Sequence, residues 1–210
     1  MAEVQNERVE SPLVVGIGGT LRAGSRSLAA LEHALSAAEA AGARTKLLAL
    51  NKMDLPLFRP GLRLDDYPSD VQKVVNAAAE SDGLLWSTAG YHGTLAGVTK
   101  NALDYLEFLS RQSYLDGRPV GLISVAGGDM AAVNAIDAMV HTVHALRGNA
   151  LSLKVPIGGS RSAFSPDGEI VNDKARRRLE MLGELVAEEA GTWAQENRAP
   201  HEATPLAMTA

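Results

Sequence analysis

Within ten residues, Gly18-Gly19-Thr20-Leu21-Arg22-Ala23-Gly24-Ser25-Arg26-Ser27 brings together three glycines, three hydroxyls and two arginines. Glycines let the backbone approach a ligand closely. Hydroxyl and guanidinium groups donate hydrogen bonds to anions. A helical pattern begins at the end of this stretch, so the helix turns its unsatisfied N–H groups back on the loop. The chemistry implied is phosphate binding, by Gly19, Thr20, Arg22, Ser25, Arg26 and Ser27. A serine-capped Gly/Ser turn is the plainer reading, but a cap needs neither two arginines nor three hydroxyls. Gly19 and Gly24 have the spacing of a nucleotide-triphosphatase loop, yet Ser25-Arg26 stands where that loop requires Lys-Ser/Thr. A dinucleotide fingerprint starting at Gly16 fails at Leu21, where its third glycine belongs.

Two further stretches are built alike. Thr88 to Asp104 reads as a long strand-to-helix loop carrying Gly90, Gly93 and Gly97. Ala126-Gly127-Gly128-Asp129 follows another apolar run. Loops of this kind lie outside the carboxyl ends of parallel strands, where open α/β sheets bind ligands. Ala89, Gly90, Tyr91 and His92 therefore join the candidate site. Tyr91 reads as a wall of that site or as ordinary packing. His92 reads as a loop-positioning or wall residue, with proton donation to an acceptor as the alternative.

Other reactive groups are sparse. The chain has no cysteine, which excludes thiolate nucleophiles, iron–sulfur clusters and cysteine zinc sites. His141 and His144 are spaced i,i+3 on a helix, but no third ligand stands at metal-binding spacing. No metal and no side-chain acid–base pair is expected. Lys100 falls at a helix N-terminus, where the dipole disfavours a cation. It needs packing or a backbone carbonyl to hold it.

Strands and helices alternate along the chain. Leu13–Ile17, Thr45–Leu50, Gly83–Ser87, Pro119–Val125 and Ala150–Val155 read as strands. Helical patterns cover 27–41, 68–80, 97–109, 130–147 and 173–193. Five apolar strands with helical crossovers imply a parallel sheet covered on both faces. The expected fold is an α/β, flavodoxin-like three-layer sandwich with a five-stranded parallel sheet of order 2-1-3-4-5. Its switch point falls between the first and third strands, where two of the glycine loops end. At 210 residues the chain fits one domain, expected over 12–197, with flexible segments at 1–11 and 198–210. A net charge of −5 without a basic patch argues against nucleic acid. No apolar run approaches the roughly 20 residues that span a bilayer, and Met1 to Pro12 hold no signal-peptide core. A cytoplasmic protein is expected.

The motifs resemble those of the NAD(P)H-dependent FMN reductase family. Gly19 to Ser27 is similar to that family's Gly-Ser-x-Arg-x-x-Ser-x-Asn loop, with Thr20 for the serine and Ser27 for the asparagine. Thr88 to Asn101 is similar to its Thr-Pro-Glu-Tyr-x-x-Ser-x-Pro-Gly-x-Leu-Lys-Asn signature. Thr88, Tyr91, Gly97, Lys100 and Asn101 match, while Ala89 and Gly90 replace Pro-Glu. Ser124 to Gly128 resembles a third, glycine-rich loop. The resemblance covers about 13–157. It implies FMN, with its phosphate on the first loop and its ring against 89–92 and 126–129, which brings Ala126, Gly127 and Gly128 into the candidate site. It implies hydride transfer from NADPH or NADH to flavin N5, then onward to free flavin, a quinone, an azo or nitro compound or a metal ion. Loss of the glutamate implies loss of any hydrogen bond it would make.

Helix 97–109 carries an apolar stripe broadened by Tyr105, Phe108 and Leu109, more than one sheet face needs. The stripe and the resemblance both imply a homodimer or tetramer through this helix, with Tyr114 and the 110–113 segment bordering the partner's site or roofing the helix end. Two other functions stay open: a flavodoxin-type one-electron carrier, and a non-enzymatic flavin-binding protein. Arg22, Arg26 and the modest net charge favour the reductase.

Overall fold

The computed structural model describes residues 11–197, so the segments 1–11 and 198–210 lie outside it apart from Ser11. The chain runs β1 (Leu13–Gly18), α1 (Arg26–Ala40), β2 (Arg44–Ala49), α2 (Ser69–Glu80) and β3 (Gly83–Tyr91). There follow β4 (Thr94–Leu95), α3 (Gly97–Asp104), a 3-10 helix (Tyr105–Gln112), β5 (Pro119–Val125), α4 (Asp129–Ala145), β6 (Asn149–Ile157), α5 (Ser160–Ala163) and α6 (Asp173–Asn197). The sheet order is β2-β1-β3-β5-β6, with every neighbouring pair parallel. This is the expected order of the five main strands. The short β4 is an addition, paired antiparallel with the end of β3.

Side chains alternate across the strands and build a core on each face. Val15, Ile17, Leu84, Trp86, Val120 and Leu122 pack with α2, α3, the 3-10 helix and α4. Val14, Leu85, Ile123 and Val125 pack with α1 and α6. The contact between α1 and α6 depends on Gly183, where a Cβ would lie 2.1 Å from the Ala34 carbonyl oxygen.

Two expectations are corrected. The stretch after Ser87 is not all loop: β3 continues through Thr88, Ala89, Gly90 and Tyr91. Gly90 pairs with Leu95 and Tyr91 with Thr94, closing a hairpin whose two turn residues, His92 and Gly93, both have positive φ (50° and 82°). Both signs fit the type I′ turn that matches strand twist. Thr88 pins the returning chain: its Oγ1 accepts the Ala96 N–H at 3.0 Å and bonds Thr99 Oγ1 at 3.0 Å.

Helix 97–109 is α-helical only to Asp104 and 3-10 beyond it. Its broad apolar stripe is covered from within the subunit. Tyr105 and Leu109 are buried, and Phe108 is half-buried; Tyr105 and Phe108 pack against the 51–68 connection. Phe58 and Tyr67 meet Tyr105 edge-on, with ring centroids 5.8 and 5.2 Å apart. Asn101 holds that connection down. It accepts the Phe58 N–H at 2.9 Å and donates to the carbonyls of Leu55 (3.2 Å) and Pro56 (2.9 Å). The Tyr105 hydroxyl also donates to the Pro56 carbonyl.

Candidate functional site

The ends of β1, β3 and β5 converge on one cavity of about 230 Å³. This is the switch point of the sheet, because the chain leaves β1 toward β2 on one side and reaches β3 and β5 on the other. The strand ends meet closely because Gly18 has no side chain: a Cβ there would lie 2.4 Å from the Ser87 carbonyl oxygen. The Ser87 hydroxyl donates to the Ser27 carbonyl at 2.7 Å, fastening the start of α1 to β3.

The first loop is organised by Ser25, the N-cap of α1. Its Oγ accepts the Leu28 N–H at 3.3 Å and the Thr20 N–H at 3.1 Å. It also bonds Ser27 Oγ at 3.1 Å. One hydroxyl thus closes the loop and caps the helix, leaving its single proton for Ser27 or for a ligand. Thr20, Ser25 and Ser27 are buried, Arg26 is half-buried and Arg22 is exposed. The N–H groups of Arg26 and Ser27, the first in α1, have no acceptor within the helix.

Ten of the thirteen candidate residues line the cavity: Thr20, Arg22, Ser25, Arg26 and Ser27, then Ala89, Gly90 and Tyr91, then Ala126 and Gly127. Gly19, His92 and Gly128 do not. Gly19 turns the chain at a φ of 96°. His92 is exposed at the hairpin tip. Gly128 is the N-cap of α4, whose carbonyl accepts the Ala132 N–H at 3.2 Å. The family-matching Lys100 and Asn101 are also outside the lining. Lys100 is held by a carboxylate, not by packing or a carbonyl: Nζ donates to Asp104 Oδ1 at 2.5 Å. His141 and His144 are exposed on α4.

A fourth segment was not among the candidates. Ser160, Ser165, Pro166 and Gly168, from the chain after β6, face the first loop across the cavity. Arg26 Nη1 reaches Ser160 Oγ at 3.5 Å. The signal was available, since Gly158-Gly159-Ser160 also follows the carboxyl end of a parallel strand.

The lining suits an anion carrying a flat ring. Two guanidinium groups face it and no carboxylate does, among the described residues. That charge balance favours a phosphate at the head of α1. The other end offers backbone from 89–90 and 126–127, with the half-exposed Tyr91 ring beside it. The Gly127 N–H makes no hydrogen bond among the described residues. The donors fit FMN.

A flavodoxin-like sheet with a phosphate cradle at its switch point defines a class of flavin-binding α/β proteins. Within it, residues 12–160 match the family of NADPH-dependent FMN reductases, and the chain belongs to that family. It is 28% identical over 168 residues to an NAD(P)H-dependent FMN reductase of Pseudomonas aeruginosa, covering 80% of this chain and 89% of that protein. It is 30% identical over 134 residues to an NADPH azoreductase of a Bacillus species, covering 64% and 71%. Its fold is shared with FerB, a flavoenzyme NAD(P)H:(acceptor) oxidoreductase from Paracoccus denitrificans, at a TM-score of 0.68 and 21% identity, covering 86% and 98%.

Proposed function

We propose that this chain holds FMN in the cavity between β1, β3 and β5, with the phosphate at the N-terminus of α1. Reduction by NADPH or NADH would be followed by electron transfer to a small-molecule acceptor. The observation that carries this reading is the cradle itself: buried hydroxyls from Thr20, Ser25 and Ser27, two arginines, and no facing carboxylate among the described residues. Bound FMN supplies the two-electron chemistry. The chain binds and orients. Thr20, Ser27, Arg22 and Arg26 take the phosphate, and Ser25 keeps their loop in shape. The 89–90 and 126–127 backbones flank the ring edge, where the free Gly127 N–H stabilises negative charge. Tyr91 walls the open face. An azo compound or a quinone fits as acceptor, the former supported by the azoreductase relative.

A one-electron carrier would need no room for nicotinamide above the ring. The exposure of Tyr91 and its neighbours favours the reductase. Cytoplasmic placement stays part of this proposal; among the described residues no helix is long and apolar enough to cross a membrane. So does a homodimer or tetramer, though Tyr105 and Leu109 are already spent inside the subunit and leave Phe108 with the polar edge Glu107, Ser110 and Arg111. An absorbance scan of the purified protein, then anaerobic titration with NADH and NADPH, tests the reading. A yellow protein bleached by one of them supports it. A protein that neither retains nor binds FMN overturns it.

A further inference from the structure

We propose that residues 158–168 form a fixed fourth wall of the flavin site, which selects a terminal phosphomonoester over an extended pyrophosphate. This rests on the flavin reading above and concerns residues that reading does not use. The wall stands directly across from the phosphate cradle: Ser160, Ser165, Pro166 and Gly168 share one cavity with Arg22 and Arg26.

The wall is rigid for identifiable reasons. Phe164 and Ala163 are buried in the core shared with α1 and α6. The Ser160 N–H donates to the Ala126 carbonyl at 3.0 Å, tying the wall to the ring-binding loop. Its tip is a tight turn: the Gly168 N–H donates to the Ser165 carbonyl at 3.0 Å, with Pro166 second in the turn and Gly168 at a φ of 93°. Ser165 then pairs with Glu169, its N–H donating to the Glu169 carbonyl at 2.8 Å and its Oγ accepting the Glu169 N–H at 3.1 Å. Phe164 and Ile170 bridge below the turn.

Two consequences follow. A phosphate at the head of α1 shares its cavity with the arginines and with Ser160 and Ser165, so hydroxyl donors stand on the side opposite the helix. A second phosphate carrying a nucleoside, extending toward this side of the cavity, would meet Pro166 and the turn. Ser160 also fixes Arg26, which makes it a positioning residue for the cradle.

The test is equilibrium binding of FMN, riboflavin and FAD to the flavin-free full-length protein, followed by quenching of flavin fluorescence. Three proteins are compared: wild type, the Ser160→Ala/Ser165→Ala double variant, and Pro166→Gly. Wild type is expected to bind FMN at least tenfold more tightly than FAD. The double variant is expected to lose three- to tenfold in FMN affinity with riboflavin unchanged, because riboflavin has no phosphate. Pro166→Gly is expected to narrow the FMN/FAD ratio at least fivefold. FMN/FAD and FMN/riboflavin ratios within twofold of wild type in both variants, with native circular dichroism, would overturn the proposal while leaving the flavin reading intact. If riboflavin affinity falls in step with FMN, the wall is only structural and the proposal fails. Wild type that binds no FMN overturns the flavin reading itself.

Discussion

Gly90 sits under the first turn of α4, so close that a Cβ on it would lie 2.7 Å from the Ala131 carbonyl oxygen and 3.0 Å from Ala126 Cβ. The family's glutamate belongs at this position. Here α4 occupies that space and brings the 126–128 loop against β3. Any side chain at residue 90 would therefore run into the backbone of α4. Gly90→Ala is expected to cost about 1–3 kcal/mol, because backbone on both sides must shift. Gly90→Glu, which restores the family residue, is expected to cost more and to lower FMN affinity. Urea denaturation midpoints check both; an unchanged midpoint in Gly90→Glu would contradict the steric account.

The cradle predicts two different phenotypes for neighbouring residues. Arg22 is exposed, and its hydrogen bond within the loop runs through its backbone N–H, 3.4 Å from Thr20 Oγ1. Arg22→Ala should weaken FMN binding by roughly ten- to a hundredfold, the worth of about 1.5–3 kcal/mol for a charge-assisted hydrogen bond, at unchanged stability. Ser25→Ala should lose both affinity and stability, the latter by about 0.5–2 kcal/mol for the missing cap. Isothermal titration with FMN and thermal melts of the flavin-free protein separate the two.

The parallel order and most of the cradle were legible because they depend on local features. Apolar runs, glycine loops and helix starts are written in neighbouring residues. What was not legible depends on partners far along the chain. Tyr91 extends a strand because Thr94 returns beside it and Thr88 Oγ1 catches Ala96. The stripe through Tyr105 and Phe108 reads as surplus because Phe58 and Tyr67, which pack on both, lie in a proline-punctuated connection with no periodicity. Lys100 and Asn101 sit in a family signature, yet their bonds to Asp104 and to Leu55, Pro56 and Phe58 are structural.

That covered stripe decides which substitution can test for association through the 105–111 edge. Leu109→Glu buries a charge in the subunit core and should unfold the protein outright. It reports nothing about association. Phe108→Glu alone touches the half-exposed edge. If subunits associate through the 105–111 edge, Phe108→Glu should shift the light-scattering mass downward with native circular dichroism. A wild-type monomer at micromolar concentration removes the interface altogether.

The hairpin tip carries the last prediction. His92 lies outside the cavity lining, and its positive φ is what the turn demands of it. Its job is to reverse the chain so that Leu95 returns beside Gly90. His92→Asn suits the same turn better and should stabilise the protein by about 0.5 kcal/mol or less. Turnover should stay near wild type, far short of the ~10²–10⁴-fold loss that removing a general acid or base causes. Tyr91→Phe keeps the wall and should also leave turnover nearly unchanged, while Tyr91→Ala opens it and should raise the KM for the acceptor more than it lowers kcat. Initial rates with NADPH and a quinone, varied against each other, should give the parallel lines of a ping-pong reaction, since donor and acceptor would use one face of one site in turn. A His92→Asn enzyme with full FMN content and no flavin reduction would place an essential proton donor at the tip and refute this assignment.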